Sequence, residues 1–395
     1  MSKVAGKLFA RCARLLVVAA LLLASFAVVS GSASAQGRSP AGAVYTLTNA
    51  VAGNQVAVFD RAPDGTLTPA YNVPTGGLGT GSSLSSQGAL AISNNGRWLF
   101  AVNAGSDDIS VFDTGNPSAK STSSFSIVNG SQLHLVSRTA SGGTHPVSLT
   151  SNANILYVLN AGVPNNISGF RVNNDGTLVP IDGSTQPLSA ANTGPAEVQF
   201  SSNGRVLVVT EKATNIVDTY TVSSLGVAGA PNVQASAGIT PYGFAFDNRN
   251  HAIVSEAFGG AANGSAASSY SVNNTGILTT ISASAPTYQT AACWVAISKN
   301  GLYAYTANAG SGNITGYSIR DDGSLQLLDP SGITGVTGAG TTPTDVAVSN
   351  DGKFFYSLDA GSHAFSGFAI GQDGSLTPAG TTTGLLPGSV GLVAR

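Results

Sequence analysis

The chain has 395 residues, of which only 9% are charged, and a formal net charge of −2. So sparse and mildly acidic a charge set cannot build the clustered Lys and Arg surface that nucleic acid selects, which excludes that partner. With two cysteines and 49 glycines, the chain must rely on packing and tight turns rather than on cross-links.

Lys3, Lys7, Arg11 and Arg14 precede an apolar run from Leu15 to Val29, and Ala33-Ser34-Ala35 follows as the small-residue pattern a signal peptidase reads. A signal peptide over 1–35 and cleavage after Ala35 are therefore expected. A retained anchor is the rival reading, but the run is short for a span needing about 20 apolar residues. Export to the periplasm or the medium is the expected location, with no membrane span after cleavage. Cys12 leaves with the signal, so Cys293 remains without a disulfide partner.

Residues 36–40 read as a short tail, and 41–395 as one domain. From Ala41 onward apolar and small polar residues alternate, as in Ile109-Ser110-Val111-Phe112, which is the pattern of short strands. An aromatic residue closes every third strand, at Phe59, Phe112, Phe170, Tyr220, Tyr270, Tyr317 and Phe368. A repeat of about 50 residues carrying four strands is one propeller blade, because a small sheet with two apolar faces buries them only against neighbouring sheets. The fold expected is all-β, a seven-bladed β-propeller.

Asx-Gly pairs punctuate each repeat, as at Asn95-Gly96, Asn203-Gly204, Asp351-Gly352, Asp64-Gly65, Asp175-Gly176 and Asp373-Gly374. They supply the positive φ of tight hairpins. A calcium reading of these aspartates fails because each motif brings one acid where a calcium loop needs several oxygens. The mature N-terminus enters at a second strand, Val44 to Leu47, and the C-terminus ends with an inner strand, Ser389 to Val393, so the two ends are expected to complete one blade. Gly76 to Ser86 and Asn116 to Ser124 are Gly/Ser/Thr-rich insertions, expected as mobile surface loops.

Loops entering the inner strands share a face with loops leaving the second strands. Aligning the repeats on the hairpins that end the inner strands gathers His145, Glu197, Glu211, Tyr242, Glu256, Trp294 and Asp345 at one channel mouth. Glu211 and Glu256 draw attention because the other repeats are read as carrying Ala50, Ala104, Ala161, Ala309 and Ala360 there. For each residue a structural role is weighed too: an exposed ion pair of Glu211 with Lys212, a flexible Gly/Ala-rich loop after Glu256, an ordered loop residue at His145-Pro146. Cys293 beside Trp294 suggests a thiol nucleophile, although a lone buried cysteine is usually a small hydrophobe. His134, His251 and His363 fall on different repeat positions and make no metal set. Neither a metal nor a cofactor is expected.

The strand and loop patterns Asp345-Val346-Ala347-Val348-Ser349-Asn350-Asp351-Gly352-Lys353, Asn308-Ala309-Gly310-Ser311-Gly312 and Asp373-Gly374-Ser375-Leu376-Thr377 resemble the bacterial lactonase family of seven-bladed propellers. That family includes phosphogluconolactonases and is similar to the fungal 3-carboxymuconate lactonising enzyme. The resemblance spans nearly all of 41–395. It implies a histidine at the start of one inner strand, matched by His145, and a glutamate after the second strand of the next blade, matched by Glu211. It also implies arginines for an anionic substrate, and there the sequence departs. Gly194-Pro195-Ala196-Glu197 stands where the family has Gly-Pro-Arg-His, and Asn308-Ala309-Gly310 where it often has Asn-Arg-Gly.

Two functions are therefore open. One is a lactonase-like enzyme hydrolysing or isomerising a neutral lactone or sugar derivative, with Glu211 as general base and His145 as its partner. The other is a non-catalytic secreted propeller that binds an extracellular protein, glycan or surface polymer through Glu197, Tyr242, Glu256, Trp294 and Asp345. A monomer is expected in either case.

Overall fold

The computed structural model describes residues 40–115 and 132–395. The expected signal peptide, all but the last residue of the expected tail, and the Asn116 to Ser124 insertion lie outside the described residues. The second strand of each blade carries apolar side chains on both faces, because a sheet in a ring of sheets has a neighbour on either side. Trp98–Asn103, Val206–Glu211 and Phe354–Asp359 are accordingly buried along their whole length. Outermost strands such as Leu67–Pro74 meet solvent and are mostly exposed.

The described strands form seven antiparallel sheets of four strands, two of them with a short fifth strand. We number the blades by their inner strands: Leu90–Ile92, Pro146–Asn152, Pro195–Phe200, Pro241–Phe246, Ala292–Ile297, Pro343–Val348 and Val390–Ala394. The expected seven-bladed β-propeller is the fold observed. The described residues belong to one compact unit, 40–395.

Buried tyrosines join neighbouring blades. The hydroxyls of Tyr157, Tyr305 and Tyr356 donate to the carbonyls of Gly226, Gly374 and Gly65, at 2.7, 2.9 and 2.8 Å. Each acceptor is the turn glycine of the following blade. Gly65, at φ +88°, shows why glycine is needed: a Cβ there would lie 2.3 Å from the Phe354 ring of blade 6.

The ring closes as expected from its two ends. Val390–Ala394 pairs antiparallel with Gly42–Leu47, forming blade 7 with Gln55–Arg61 and Leu67–Pro74. Arg395 N–H donates to Ala43 at 2.7 Å and its carbonyl accepts from Ala43 N–H at 3.0 Å. Buried Arg61 adds a bond to the Arg395 carbonyl at 3.3 Å and an ion pair with Asp351 of blade 6 at 3.2 Å.

Gly76 to Ser86 departs from expectation, since it is tied down rather than mobile. Asn49 Nδ2 donates to the Ser82 carbonyl at 2.7 Å, Gly81 N–H donates to the Asn49 carbonyl at 2.7 Å, and Leu84 is buried.

Candidate functional site

Strand register decides which residues share a level. Asn160, Glu211, Glu256, Asn308 and Asp359 end their second strands opposite Pro146, Pro195, Pro241, Ala292 and Pro343. Glu211 and Glu256 thus replace asparagine or aspartate, not the alanine one residue later. The residues after them, Lys212 and Ala257, take the place of Ala161, Ala309 and Ala360: each donates its N–H to the residue preceding the inner strand.

All the polar residues at this level do related work. Asn103 Nδ2 donates to Asp108 and Ser110 at 2.6 and 2.8 Å, and Asn308 Nδ2 to Asn313 and Thr315 at 2.7 and 2.9 Å. Asp359 accepts from Ser357 and Ser366. Glu256 accepts from Ser268 and Ser284, and Glu211 from the Ser189 N–H and hydroxyl and from Thr214. These side chains latch the second strand to its neighbours inside the blade. Glu211 and Glu256 are completely buried, and neither is on the wall of the cavity that holds Glu197 and Asp345.

Beside Glu211, Asp218 accepts the same Ser189 N–H at 2.8 Å. Burial, followed by the neighbouring Glu211 carboxyl, pushes the Asp218 pKa up to about 8. The expected surface ion pair of Glu211 with Lys212 is not formed. Lys212 instead lies over the Tyr242 ring at 4.7 Å, and its Nζ donates to the carbonyls of Ser85 and Pro195. Burial lowers its pKa to about 8.

His145 also shifts from its expected level. Its counterparts are Gly194, Thr240, Ala291 and Thr342, all with φ between 49° and 58° like His145 itself at 54°. The cause is the blade 2 hairpin, which turns through Ala153 and Asn154 alone, whereas blade 3 uses Ser202 to Arg205. His145 N–H donates to Asp107 Oδ1 at 2.7 Å, so its backbone organises the turn into the inner strand.

Tyr242 and Trp294 do come together, with ring centroids 5.1 Å apart. Above them the channel mouth is closed by the chain itself. Trp294 Nε1 donates to the Ser86 carbonyl at 2.9 Å, Ser86 Oγ to Val147 at 2.9 Å and Gln87 N–H to Ala196 at 3.0 Å. Gln87 also crosses the channel to the backbone of Val295. Cys293, free and buried, has its thiol pKa pushed up to about 12 by burial, which fits a small hydrophobe rather than a nucleophile.

Glu197 and Asp345 share the level of Gly243 and Trp294 and reach the other end of the channel. They line a cavity of about 370 Å³ that runs toward the hairpins at Asn94, Asn152 and Ser202, with Gln87 and Gly88 also on its wall. Glu197 Oε2 accepts from Phe244 N–H at 2.6 Å and Asp345 Oδ1 from Val346 N–H at 2.8 Å. Burial raises the Glu197 pKa well above the usual carboxyl range; the Phe244 N–H opposes this and the Asp345 charge adds to it. Burial likewise pushes Asp345 up to about 8, against the Val346 and Leu392 N–H groups. Of the seven expected site residues, these two share the wall of this cavity. Gln87 and Lys212 were not anticipated, and only the break of the repeat pattern at Lys212 marked either of them.

A family model described as "Lactonase, 7-bladed beta-propeller" matches residues 45–186. The chain resembles the lactonase propellers. No curated protein sequence matches it. Among solved structures, the periplasmic gluconolactonase PpgL of Pseudomonas aeruginosa superposes with a TM-score of 0.65 at 18% identity, over 87% of this chain and 97% of that one. A Bacteroides uniformis protein provisionally described as a 6-phosphogluconolactonase gives 0.65 at 16% identity, over 88% and 98%. A Lactobacillus plantarum protein gives 0.66 at 16% identity, over 89% and 98%. At these identities the likeness is one of fold. Within the lactonase-type propeller, Ala196 stands where the resemblance implies an arginine, and its carbonyl holds Gln87.

Proposed function

We propose that the protein is an exported lactonase-like hydrolase that takes a neutral or weakly charged lactone or sugar derivative into its central channel. The observation that carries this reading is the cavity wall, which has hydroxyl, amide and two carboxyl side chains and no basic residue. A phosphorylated or carboxylated substrate would meet repulsion there and no guanidinium fork. Lactone hydrolysis needs water at the ring carbonyl carbon, a group that takes the water's proton, and return of a proton to the ring oxygen as its C–O bond breaks. Glu197 and Asp345 are the ionisable groups on the wall, so this reading gives them the general-base role, an effect of roughly 10² to 10⁴-fold. The arrangement implied by the resemblance, Glu211 as base with His145, requires Glu211 to give up its bonds to Ser189 and Thr214 first.

Hydrolysis of a panel of neutral sugar lactones tests the reading. Glu197→Gln and Asp345→Asn should each abolish turnover without lowering the melting temperature, and variants that turn over like wild type would end it. Export is part of the proposal: secreted protein should begin at Gln36. No helix among the described residues is long and apolar enough to cross a membrane.

A second reading, binding of an extracellular protein or glycan, is favoured by the opposite face. Val51, Val163, Ile239, Tyr288 and Leu386, all on loops that enter inner strands or leave second strands, are exposed. Unchanged glycan-array binding in a Val163→Asp, Tyr288→Asp double variant would remove it.

A further inference from the structure

We infer that the inner end of the central channel is a binding site for a hard divalent cation of the calcium type, held between Glu197 and Asp345. Both side chains are only 2% exposed, yet no Lys, Arg or His lines the cavity that contains them. A carboxylate removed from water without a counter-charge is costly, and proteins resolve such burial by keeping the group protonated, by pairing the charge or by coordinating a metal. Here the pairing partner is missing. One oxygen of each carboxyl group is fixed by a backbone N–H, of Phe244 or Val346. Asp345 Oδ2 is buried and makes no hydrogen bond of normal geometry, and Ser151 Oγ on the same wall is likewise unpartnered. Both residues belong to the wall of the polar cavity, and the Leu392 N–H is a further donor near the Asp345 carboxyl.

The donor set identifies the class of ion. Carboxylates, hydroxyls and the amide groups of Gln87 and Gln199 surround the site, with neither histidine nor cysteine among its lining. Oxygen-only surroundings suit calcium or magnesium rather than zinc or copper. No three His, Cys, Asp or Glu side chains among the described residues are placed to hold one metal ion together, so neutral oxygens and water must complete the shell. Calcium accepts such irregular shells more readily than magnesium does. A divalent charge matches two carboxylates, whereas one organic ammonium group would leave the second uncompensated. The site lies in the cavity proposed above for substrate, but the inference stands without turnover because binding is measured directly.

The test is calorimetric titration of chelator-treated full-length mature protein with calcium chloride, alongside thermal melts. One site per chain is expected, with an affinity on the order of 10⁻⁴ to 10⁻³ M, as for extracellular calcium modules, and a melting temperature that rises with calcium. The Glu197→Gln, Asp345→Asn double variant, which loses buried charge and so should fold, is expected to bind at least about tenfold more weakly. Absence of heat and of any melting shift at millimolar calcium would overturn the inference. So would equal binding by the double variant, or a methylammonium response equal to that of calcium. Calcium binding with no hydrolysis of any lactone would sink the proposed reaction alone, and hydrolysis with no calcium binding would sink this inference alone.

Discussion

Gln87 spans the channel and completes the backbone of Val295, donating from Nε2 to its carbonyl at 2.7 Å and accepting its N–H at Oε1 at 2.9 Å. One side-chain amide thereby ties blade 1 to blade 5 and seals the loop face of the propeller. Replacing Gln87 with Ala leaves both Val295 groups without partners, at about 1–3 kcal/mol for each group that stays unsatisfied. Gln87→Ala should lower the stability measured by urea unfolding by about 2–4 kcal/mol, less where water fills the gap. It should also open the channel at both ends, so the neutral quencher acrylamide should quench Trp294 fluorescence more strongly than in wild type.

Glu211 and Glu197 should respond in opposite directions to the same change. Glu211 accepts three hydrogen bonds inside blade 3, and Glu211→Gln places an NH₂ group against donors, costing about 1–3 kcal/mol. Glu197 is buried with one backbone donor, and its charge is opposed by Asp345. Glu197→Gln should therefore leave stability unchanged or raise it. Chemical denaturation of the two variants side by side checks the contrast; a stabilised Glu211→Gln would refute the latch.

The blade count, the strand order and the closure of the ring were legible because turn signals and the aromatic at each third strand repeat along the whole chain. The site was less so. Glu211 looked like a replacement for alanine because the segment after each second strand was matched on its Ala-Gly pairs, whereas register sets it level with Asn160, Asn308 and Asp359. His145 was displaced by a hairpin two residues shorter than its neighbours. Gln87 was hidden at the end of a Gly/Ser-rich insertion whose composition signals a linker, although its hydrogen bonds to three other blades order it. Composition reports what a segment can do when free and carries no record of contacts made across the ring.

Stability should peak at mildly acid pH. Burial raises the pKa values of Glu197, Glu256, Asp218, Asp345 and Asp359, the last three to about 8, 8 and 6. A raised acid keeps its proton in the folded state at pH values where the unfolded chain has lost it. The folded state then binds more protons, and stability falls as pH rises from about 4 toward the folded value. The exposed turn aspartates with lowered pKa values, such as Asp64 and Asp373, act in the opposite sense only below that window. In chelator-treated protein the melting temperature should fall by several degrees between pH 5 and 8. Asp218→Asn or Asp345→Asn should flatten that slope, and a melting temperature that climbs over this range would contradict the assignment.

Closure of the ring sets the last expectation. Leu392, Val393 and Ala394 are buried, and the strand they form is the inner strand of blade 7, paired with Gly42–Leu47. Burying aliphatic side chains of this size contributes about 1.5–3 kcal/mol for each larger one, and the lost ladder would leave backbone groups of Val44, Tyr45 and Thr46 facing a gap. Arg61 would lose its bond to the Arg395 carbonyl while remaining buried, held by the ion pair to Asp351, a bond to Ala41 and its place over the Phe354 ring. Deleting residues 388–395 should therefore remove at least about 5 kcal/mol, comparable with the whole stability of many domains. The truncated protein should melt far below the full-length chain or fail to fold. Adding the missing peptide in trans should restore part of the transition, because the edge it leaves is a sheet edge of defined register. Truncated protein with an unchanged melting curve would mean that the ring does not depend on joining its ends.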